Sequence, residues 1–236
     1  MEMSEVERIR AVYKRREAMK KYRYNPLDPG AFYLTTSCDR SLVQTLRLYL
    51  KQSALSLQEL RILDIGCGNG DVLRRLILLG ARPANLAGID VLEESIQQAK
   101  LLNPNIYFSI ANAQNLPFKD ETWDLVLLFM VISSVLNRDI QARIASEALR
   151  VLKPHGAILW YDFWINPVNP DTVGITPARV RQLFPGCRLL LKRTTLVPPL
   201  ARRLARISWT LCWMLESLPF LRTHYIGLIY KGREAH

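Results

Sequence analysis

Ten residues, Arg61 to Gly70 (RILDIGCGNG), constrain this chain more than any others. Ile62, Leu63 and Ile65 make a short apolar run that stops at a carboxylate, Asp64, and three glycines. A continuous apolar run before a glycine-rich turn reads as a buried parallel strand. Beyond Gly70, the residues Val72, Leu73, Leu76, Ile77 and Leu79 recur at helical spacing until Gly80. The unit is therefore strand, tight turn, helix, the repeating element of an α/β sheet protein.

Glycines without a Cβ let a ligand approach the backbone, and the following helix offers free N–H groups to a carboxylate or phosphate. The dinucleotide fingerprint G-x-G-x-x-G does not fit, because the spacing here is Gly66-x-Gly68-x-Gly70. A pyrophosphate beside Asp64 would be repelled, whereas a ligand with both an ammonium and a carboxylate suits the turn. About twenty residues on, the run AGID ends at a second acid, Asp90, at the distance expected of a carboxylate on ribose hydroxyls. A nucleoside joined to an amino acid meets all of these conditions.

DIGCGNG matches at every fixed position the D-x-G-x-G-x-G motif of class I S-adenosylmethionine (SAM)-dependent methyltransferases, which this chain resembles. Three further segments carry the resemblance. AGID ends the second strand. ANAQNLPF resembles G-D-A-x-x-L-P-F, with Asn112 where an Asp is usual. TWDLVLLFM resembles the segment built on F-D-x-V, and together the four span roughly Arg61 to Phe163. The resemblance implies a Rossmann-like, seven-stranded, mostly parallel sheet in the order 3-2-1-4-5-7-6, its last strand antiparallel, with helices on both faces. It implies S-adenosylmethionine as cofactor, held by Asp64, Gly66, Cys67 and Gly68, by Asp90 and Val91, by Asn112, Ala113 and Gln114 along the adenine, and by Phe129. Ser133 and Ser134 stand where an acid and a His frequently sit, so no catalytic base is assigned. Methyl transfer needs one only where the acceptor must lose a proton.

Around this core, residues 1–59 are expected to form a helical cap and residues 60–236 the SAM-binding domain. Met3 to Tyr22 reads as an amphipathic helix with Val6, Ile9, Tyr13 and Met19 on one broad face and Arg8, Lys14, Arg15 and Lys21 largely elsewhere. Asn25-Pro26 and Asp28-Pro29-Gly30 end it, a loop carries Phe32 and Tyr33, and a second helix runs from about Ser41 to Gln52. Further strands are expected at 86–90, 106–111, 122–130, 157–163, 188–196 and 224–231, and further helices at 92–102, 138–152 and 177–184. Lys153-Pro154-His155-Gly156 reads as a turn with a solvated His155, and Trp123 and Asp124 as structural residues. Asp162, Trp164 and Asn166 lie at the carboxyl end of the fifth strand, where open α/β sheets bind ligands, and are candidate substrate contacts.

An insertion at about 197–222 separates the last two strands. Leu200, Leu204, Ile207, Leu211, Leu215 and Leu218 recur as one helical stripe, with Arg202, Arg206, Trp209, Trp213 and Glu216 opposite. Two tryptophans among arginines suggest either a packing face toward the N-terminal helix or a dimer partner, or a cap beside the acceptor site. In the second reading Trp209 and Trp213 would stack on an aromatic or sugar-like substrate or lie at a lipid interface.

Charge separates the parts. The net charge is +11. Residues 1–59 hold eleven Lys/Arg against seven Asp/Glu, residues 60–165 ten against eleven, and residues 166–236 eleven against three. The core is neutral, and the basic C-terminal part suits an anionic ligand or a peripheral contact with a membrane. Four cysteines without ligand spacing and three histidines argue against a disulfide frame or a metal site and for reduced thiols in the cytoplasm. The longest apolar run, Leu125 to Leu136, is too short to span a bilayer, which needs about 20 residues. The N-terminus is charged, unlike a signal peptide.

The expected reaction is methyl transfer from SAM to a small-molecule acceptor, such as a glycan, lipid-linked or secondary-metabolite intermediate. An RNA methyltransferase is the alternative that the basic flanks favour, yet no RNA module or N-P-P-[YFW] motif is present, so nucleic acid is not the expected partner. A non-catalytic SAM-binding or interaction protein is a further alternative, and an NAD-dependent reductase is disfavoured by the glycine spacing. A homodimer is compatible with the sequence.

Overall fold

A computed structural model describes residues 5–23, 25–166 and 169–231, with the side chains of 16–24 outside that description. Met3 and the Pro167-Val168 part of the proline-rich loop therefore lie outside the described residues, as do the side chains of Met19 and Lys21. The order is α1 (Glu5–Arg23), α2 (Pro29–Ser53), β1 (Ile62–Ile65), α3 (Asp71–Leu78), β2 (Leu86–Asp90), α4 (Glu93–Leu102), β3 (Tyr107–Ile110), β4 (Trp123–Phe129), α5 (Arg138–Val151), β5 (Leu152–Phe163), α6 (Pro177–Leu183), β6 (Arg188–Leu196), α7 (Pro198–Leu204), α8 (Trp209–Ser217) and β7 (Arg222–Tyr230). The seven strands form one sheet in the order β3-β2-β1-β4-β5-β7-β6. The pairs among β1 to β5 are parallel, and β7 runs antiparallel to both β5 and β6. This is the architecture that the motif pattern implied.

β1 and β4 are apolar and buried along almost their whole length because helices cover both sides of the sheet. Alternate residues point to opposite faces. Ile62, Leu125 and Leu127 meet α2, α3 and α4 through Tyr49, Leu73 and Ile96. Leu63, Val126 and Leu128 meet α5 and α6 through Ile144, Ala148 and Val180. A third, smaller cluster sits under the insertion, where Tyr33 of α2 packs with Leu196, Ala201 and Cys212.

Three expectations are corrected. α2 begins at Pro29 and takes in Phe32 and Tyr33, which were expected in a loop. The Asp28-Pro29-Gly30 sequence starts a helix: the Asp28 carboxylate accepts from the N–H groups of Gly30 and Ala31, and Pro29 occupies the first turn, where its missing N–H costs nothing. β5 begins at Leu152, so the expected turn at 153–156 belongs to the strand, with a register irregularity opposite Trp123 and Leu125. The insertion at 197–222 is two helices, not one continuous helix. Ser208 caps α8 by accepting from the N–H of Leu211, and this break resets the helical phase. The expected leucine stripe is therefore split: Leu200, Leu204 and Leu215 pack inward, while Ile207, Leu211 and Leu218 are exposed.

Candidate functional site

β1 ends in a turn whose conformation only glycine takes easily. Gly66 and Gly68 have φ of +72° and +54°, in the left-handed region that a Cβ disfavours. A Cβ on Gly66 would stand 2.8 Å from Val131 Cγ2, whereas one on Gly68 would meet nothing within 4 Å. The turn is pinned to β2, since the N–H groups of Gly66 and Cys67 donate to Ile89 O at 2.8 and 2.9 Å. The N–H of Gly68 donates to Asp90 Oδ2 at 2.9 Å, and Asp90 Oδ1 accepts from Leu92 N at 2.9 Å. The two strand-end acids are thus joined through one loop.

Asp64 lies beneath that loop, 1 % exposed, and neither of its carboxylate oxygens has a hydrogen-bond partner among the described residues. A buried, unpaired carboxylate is costly and needs an explanation. Burial first, and then the Asp90 carboxylate, push its pKa well above the usual carboxylate range. Burial also raises Asp90, against hydrogen bonds from the N–H groups of Leu92, Gly68 and Val91. A cationic group seated over the turn would satisfy the charge and the lone pairs of Asp64 together.

A cavity of about 100 Å³ opens beside the turn at the carboxyl ends of the parallel strands. Gly66, Asp90, Val91, Asn112, Ala113, Gln114 and Phe129 line it, so the structure brings these sequence-assigned residues together. Asp64, Cys67 and Gly68 are not in that lining. Asp64 and Cys67 are buried under it, and Gly68 holds Asp90. Asn112 Oδ1 accepts from Gln114 N at 3.0 Å, which fixes the turn of the ANAQ segment. At the far wall Met130, a residue with a side chain, sits at φ +60°, and its N–H donates to Tyr161 O at 2.7 Å. Such strain is held only where the surroundings over-determine it, and it concentrates at functional sites.

The site residues assigned from the sequence do not include the roof, although a helical cap was expected over residues 1–59. Glu5, Val6, Ile9 and Tyr13 of α1 close the cavity from above. Arg8 pairs with Glu5 at 2.7 Å and donates to Ser134 O, and Glu5 accepts from Leu136 N at 2.7 Å. Burial pulls the Glu5 pKa up, but these donors hold it below the usual range. The apolar face of the first helix marks it as a covering element but does not name the residues it covers.

The candidate substrate residues stand apart from this cavity. Asp162 is buried and accepts from the N–H groups of Ser133 and Phe163 at 2.9 Å each, so it holds the segment after β4 in place. Burial outweighs those hydrogen bonds and raises its pKa to about 7. Trp164 donates its indole N–H to Arg222 O at 2.8 Å and lies under the Arg193 guanidinium, 4.3 Å away. The Asn166 amide bonds Thr172. Trp209 packs on Phe32 and Tyr33, with ring centroids 5.6 and 5.5 Å away, whereas Trp213 is half exposed. Glu216, expected on the tryptophan face, is buried and receives hydrogen bonds from Tyr33, Ser37 and Arg40. Burial pulls its pKa up, and those three donors bring it below the usual range. Among the described residues no group of acids, histidines and cysteines could hold a metal ion.

Comparisons with known proteins agree with this geometry. The sequence model of a methyltransferase domain matches residues 62–156. The chain is 29 % identical over 132 residues to 27-O-demethylrifamycin SV methyltransferase of Amycolatopsis mediterranei, covering 53 % of this chain and 46 % of that protein. It is 31 % identical over 124 residues to the ubiquinone/menaquinone biosynthesis C-methyltransferase UbiE of Campylobacter jejuni, covering 51 % and 49 %. The chain thus spans about half the length of the curated relatives it matches. Among solved structures, a SAM-dependent methyltransferase of Methanosarcina mazei superposes with a TM-score of 0.59 at 19 % identity, covering 78 % of this chain and 98 % of that one. A chain from the Haloferax volcanii complex of a methyltransferase with its Trm112 activator gives 0.64 at 15 % identity, covering 99 % and 100 %. The [4+2]-cyclase SpnF also shares the fold, with a TM-score of 0.57 at 18 % identity, covering 80 % of each chain. Residues 62–156 thus match a methyltransferase domain, and the strand order and the glycine turn between two acids agree with that match.

Proposed function

We propose that this protein transfers a methyl group from S-adenosylmethionine to a small-molecule acceptor. The observation that carries this reading is the buried Asp64 carboxylate, unpartnered beneath a glycine turn whose other end is tied to Asp90. The fold alone does not carry it, because a [4+2]-cyclase shares the architecture. The residues fit the cofactor's two ends. Asp64 suits an α-ammonium, Asp90 suits ribose hydroxyls, and the strip Asn112–Gln114 with Phe129 suits an adenine edge and an apolar wall. Bound there, S-adenosylmethionine would supply an electrophilic methyl group on a sulfonium.

The chain's own work is then to bind, orient and exclude water. Proximity and alignment can lower such a barrier by roughly 7–11 kcal/mol without a covalent step. α1 shields the site from solvent, and Met130 and Phe129 form the wall at the ends of β4. The names of the matched relatives, a rifamycin methyltransferase and a quinone methyltransferase, support a small organic acceptor over a macromolecule. The four free cysteines support a reducing, cytoplasmic setting. We assign residues 60–236 to the catalytic domain and residues 1–59 to its cap.

Calorimetry with S-adenosylhomocysteine tests the cofactor site, and single-turnover transfer of a labelled methyl group into a small-molecule extract tests the reaction. Binding without transfer to any component smaller than a protein or RNA would remove the acceptor class and leave the site.

A further inference from the structure

A second cavity, of about 350 Å³, lies on the β6–β7 edge and shares no lining residue with the cofactor cavity. Its walls come from α2, β6, α8 and β7. They bring together Arg40, Lys192, Arg193 and Arg222 around one carboxylate, Glu216. Glu216 is already engaged by Tyr33, Ser37 and Arg40. Lys192 donates to Gln44 Oε1, Arg193 Nε to the Tyr225 hydroxyl, and Arg222 to backbone carbonyls of Arg193, Glu216 and Ser217. Among the described residues no carboxylate pairs with these three. Like charges face one another here, and their positions are fixed by neutral partners, by stacking of Arg193 on Trp164 and by the Glu216 cluster. Such a cluster is held ready for an external anion.

The same cavity opens onto an apolar surface. Trp213 belongs to its wall and is 52 % exposed, and beside it in sequence Met214 is 65 %, Phe220 72 % and Ile207 80 % exposed. Leu211 and Leu218 complete the surface at 38 % each. Between Arg206 and Arg222 the only ionisable side chains are Cys212 and Glu216, both buried. The insertion thus turns an uncharged, hydrophobic outer face to solvent, with Arg206 before it and the basic cavity behind it. The inner face is spent on holding the helices down, through Cys212, Glu216 and the Asp28–Arg206 pair.

We infer that the α7–α8 insertion and the adjoining basic cavity form a docking surface for an anionic lipid bilayer. Met214, Trp213 and Phe220 enter the headgroup region, while Lys192, Arg193, Arg40 and Arg222 meet lipid phosphates. The charge complementarity decides for this occupant. A second copy, at +11, would bring further positive charge to this cavity, whereas an anionic bilayer offers both apolar depth for the exposed side chains and phosphates for the cations. Amphipathic surfaces with basic rims bind the interface by apolar burial plus attraction to anionic lipid. Among the described residues no helix is long and apolar enough to cross a membrane, so the contact is peripheral.

Flotation of the full chain with phosphatidylcholine vesicles, with and without 30 % phosphatidylglycerol, tests this inference. The expected result is binding to the anionic vesicles, weakened by salt, and little binding to the neutral ones. Lys192→Glu reverses one charge and should weaken binding at least about fivefold, each basic residue near such a surface being worth about 1 kcal/mol. Met214→Gln with Phe220→Gln should weaken it at least about tenfold. Both variants should keep their circular dichroism and their affinity for S-adenosylhomocysteine, which separates this inference from the cofactor site. Equal binding to both vesicle types, no binding to either, or loss of a dimer in sedimentation on Met214→Gln/Phe220→Gln with vesicle binding intact would overturn it. The last result would assign the face to a second copy.

Discussion

Asp90 and Asp64 do different work, although both are carboxylates at strand ends one strand apart. Asp90 already accepts two backbone hydrogen bonds, so it is oriented before any ligand arrives. Asp90→Ala should lower affinity for S-adenosylhomocysteine about 10–150-fold, the equivalent of roughly 1.5–3 kcal/mol for hydrogen bonds to a charged group. Calorimetry reads the loss directly, and undiminished affinity would remove Asp90 from the site. Asp64 has no partner, and its raised pKa means that the unliganded protein holds a proton there to higher pH. An ammonium seated beside it favours the ionised form, so ligand binding should release a proton. Affinity should therefore rise with pH up to the pKa of Asp64 and flatten above it. Calorimetry in two buffers of different ionisation enthalpy counts the proton, and Asp64→Asn should abolish its release. Gly68→Val tests the turn itself. Its Cβ meets nothing within 4 Å, so the fold survives at a strain of about 1–2 kcal/mol, while the branched side chain fills the space above the turn. Circular dichroism should stay native and ligand binding should vanish. Normal binding would show that this turn does not cradle the cofactor.

Elements differ in how far their letters foretold them. β1, its turn and α3 were legible because the backbone there accepts only certain residues: glycine at positive φ, and an apolar run where both faces are covered. α2 was misread at its start because Asp-Pro-Gly spells both a turn and a helix N-terminus. What decides between them is whether the residues beyond pack, and Tyr33 does, 1 % exposed, against the insertion. The α7–α8 pair was misread because a stripe of leucines kept its period across Ser208, although Ser208 caps a new helix. The partners of Glu216 and the contacts that seat α1 over the cavity were illegible for one reason. Glu216 meets Tyr33 across 183 positions and Glu5 meets Leu136 across 131, and nothing in either local sequence encodes the partner. The roof makes its own prediction. The cavity of about 100 Å³ beneath α1 is smaller than the 300–1,000 Å³ usual for ligand pockets, so α1 must shift as cofactor enters and leaves. Arg8 ties α1 to Ser134 O, and its ion-pair partner Glu5 ties the same helix to Leu136 N. Arg8→Ala should speed release of S-adenosylhomocysteine by about tenfold, the equivalent of roughly 1.5 kcal/mol. Stopped-flow displacement measures this, and an unchanged release rate would mean that α1 does not gate the site.

For the whole molecule, the buried ionisable groups set how stability responds to pH. Asp162 is raised to about 7 by burial, and Asp64 is raised by burial and by Asp90. In the unfolded chain both return to an ordinary value near 3.8. Through these two groups the folded protein binds more protons than the unfolded one across the interval, and their contribution falls as pH rises through it. The contribution of Asp162 is fully present below about pH 4 and gone above about pH 7, a span of about 3 pK units or on the order of 4 kcal/mol. Glu5, Glu147 and Glu216 act in the opposite sense. Their pKa values are lowered by donors that include Arg8, Arg150 and Ser37, so their contribution is present above about pH 4.5 and fades only as the solution becomes more acidic. Buried His224 opposes the carboxyls: burial lowers its pKa to about 3, so its contribution rises with pH from about 3 to 6.5 and offsets most of the Asp162 decline there, and the carboxyls dominate only above about pH 6.5. Urea denaturation from pH 4.5 to 8 should show little change up to about pH 6.5, and Asp162→Asn should turn that interval into a rise of stability with pH. The amide oxygen can still accept from the N–H groups of Ser133 and Phe163, so the segment after β4 keeps its anchor while the titration is lost. Saturating S-adenosylhomocysteine should flatten the part that belongs to Asp64, because its ammonium stabilises the ionised form in the folded state alone. A variant whose pH profile matches the parent's would show that Asp162 titrates at its ordinary value, and that its two backbone donors outweigh its burial.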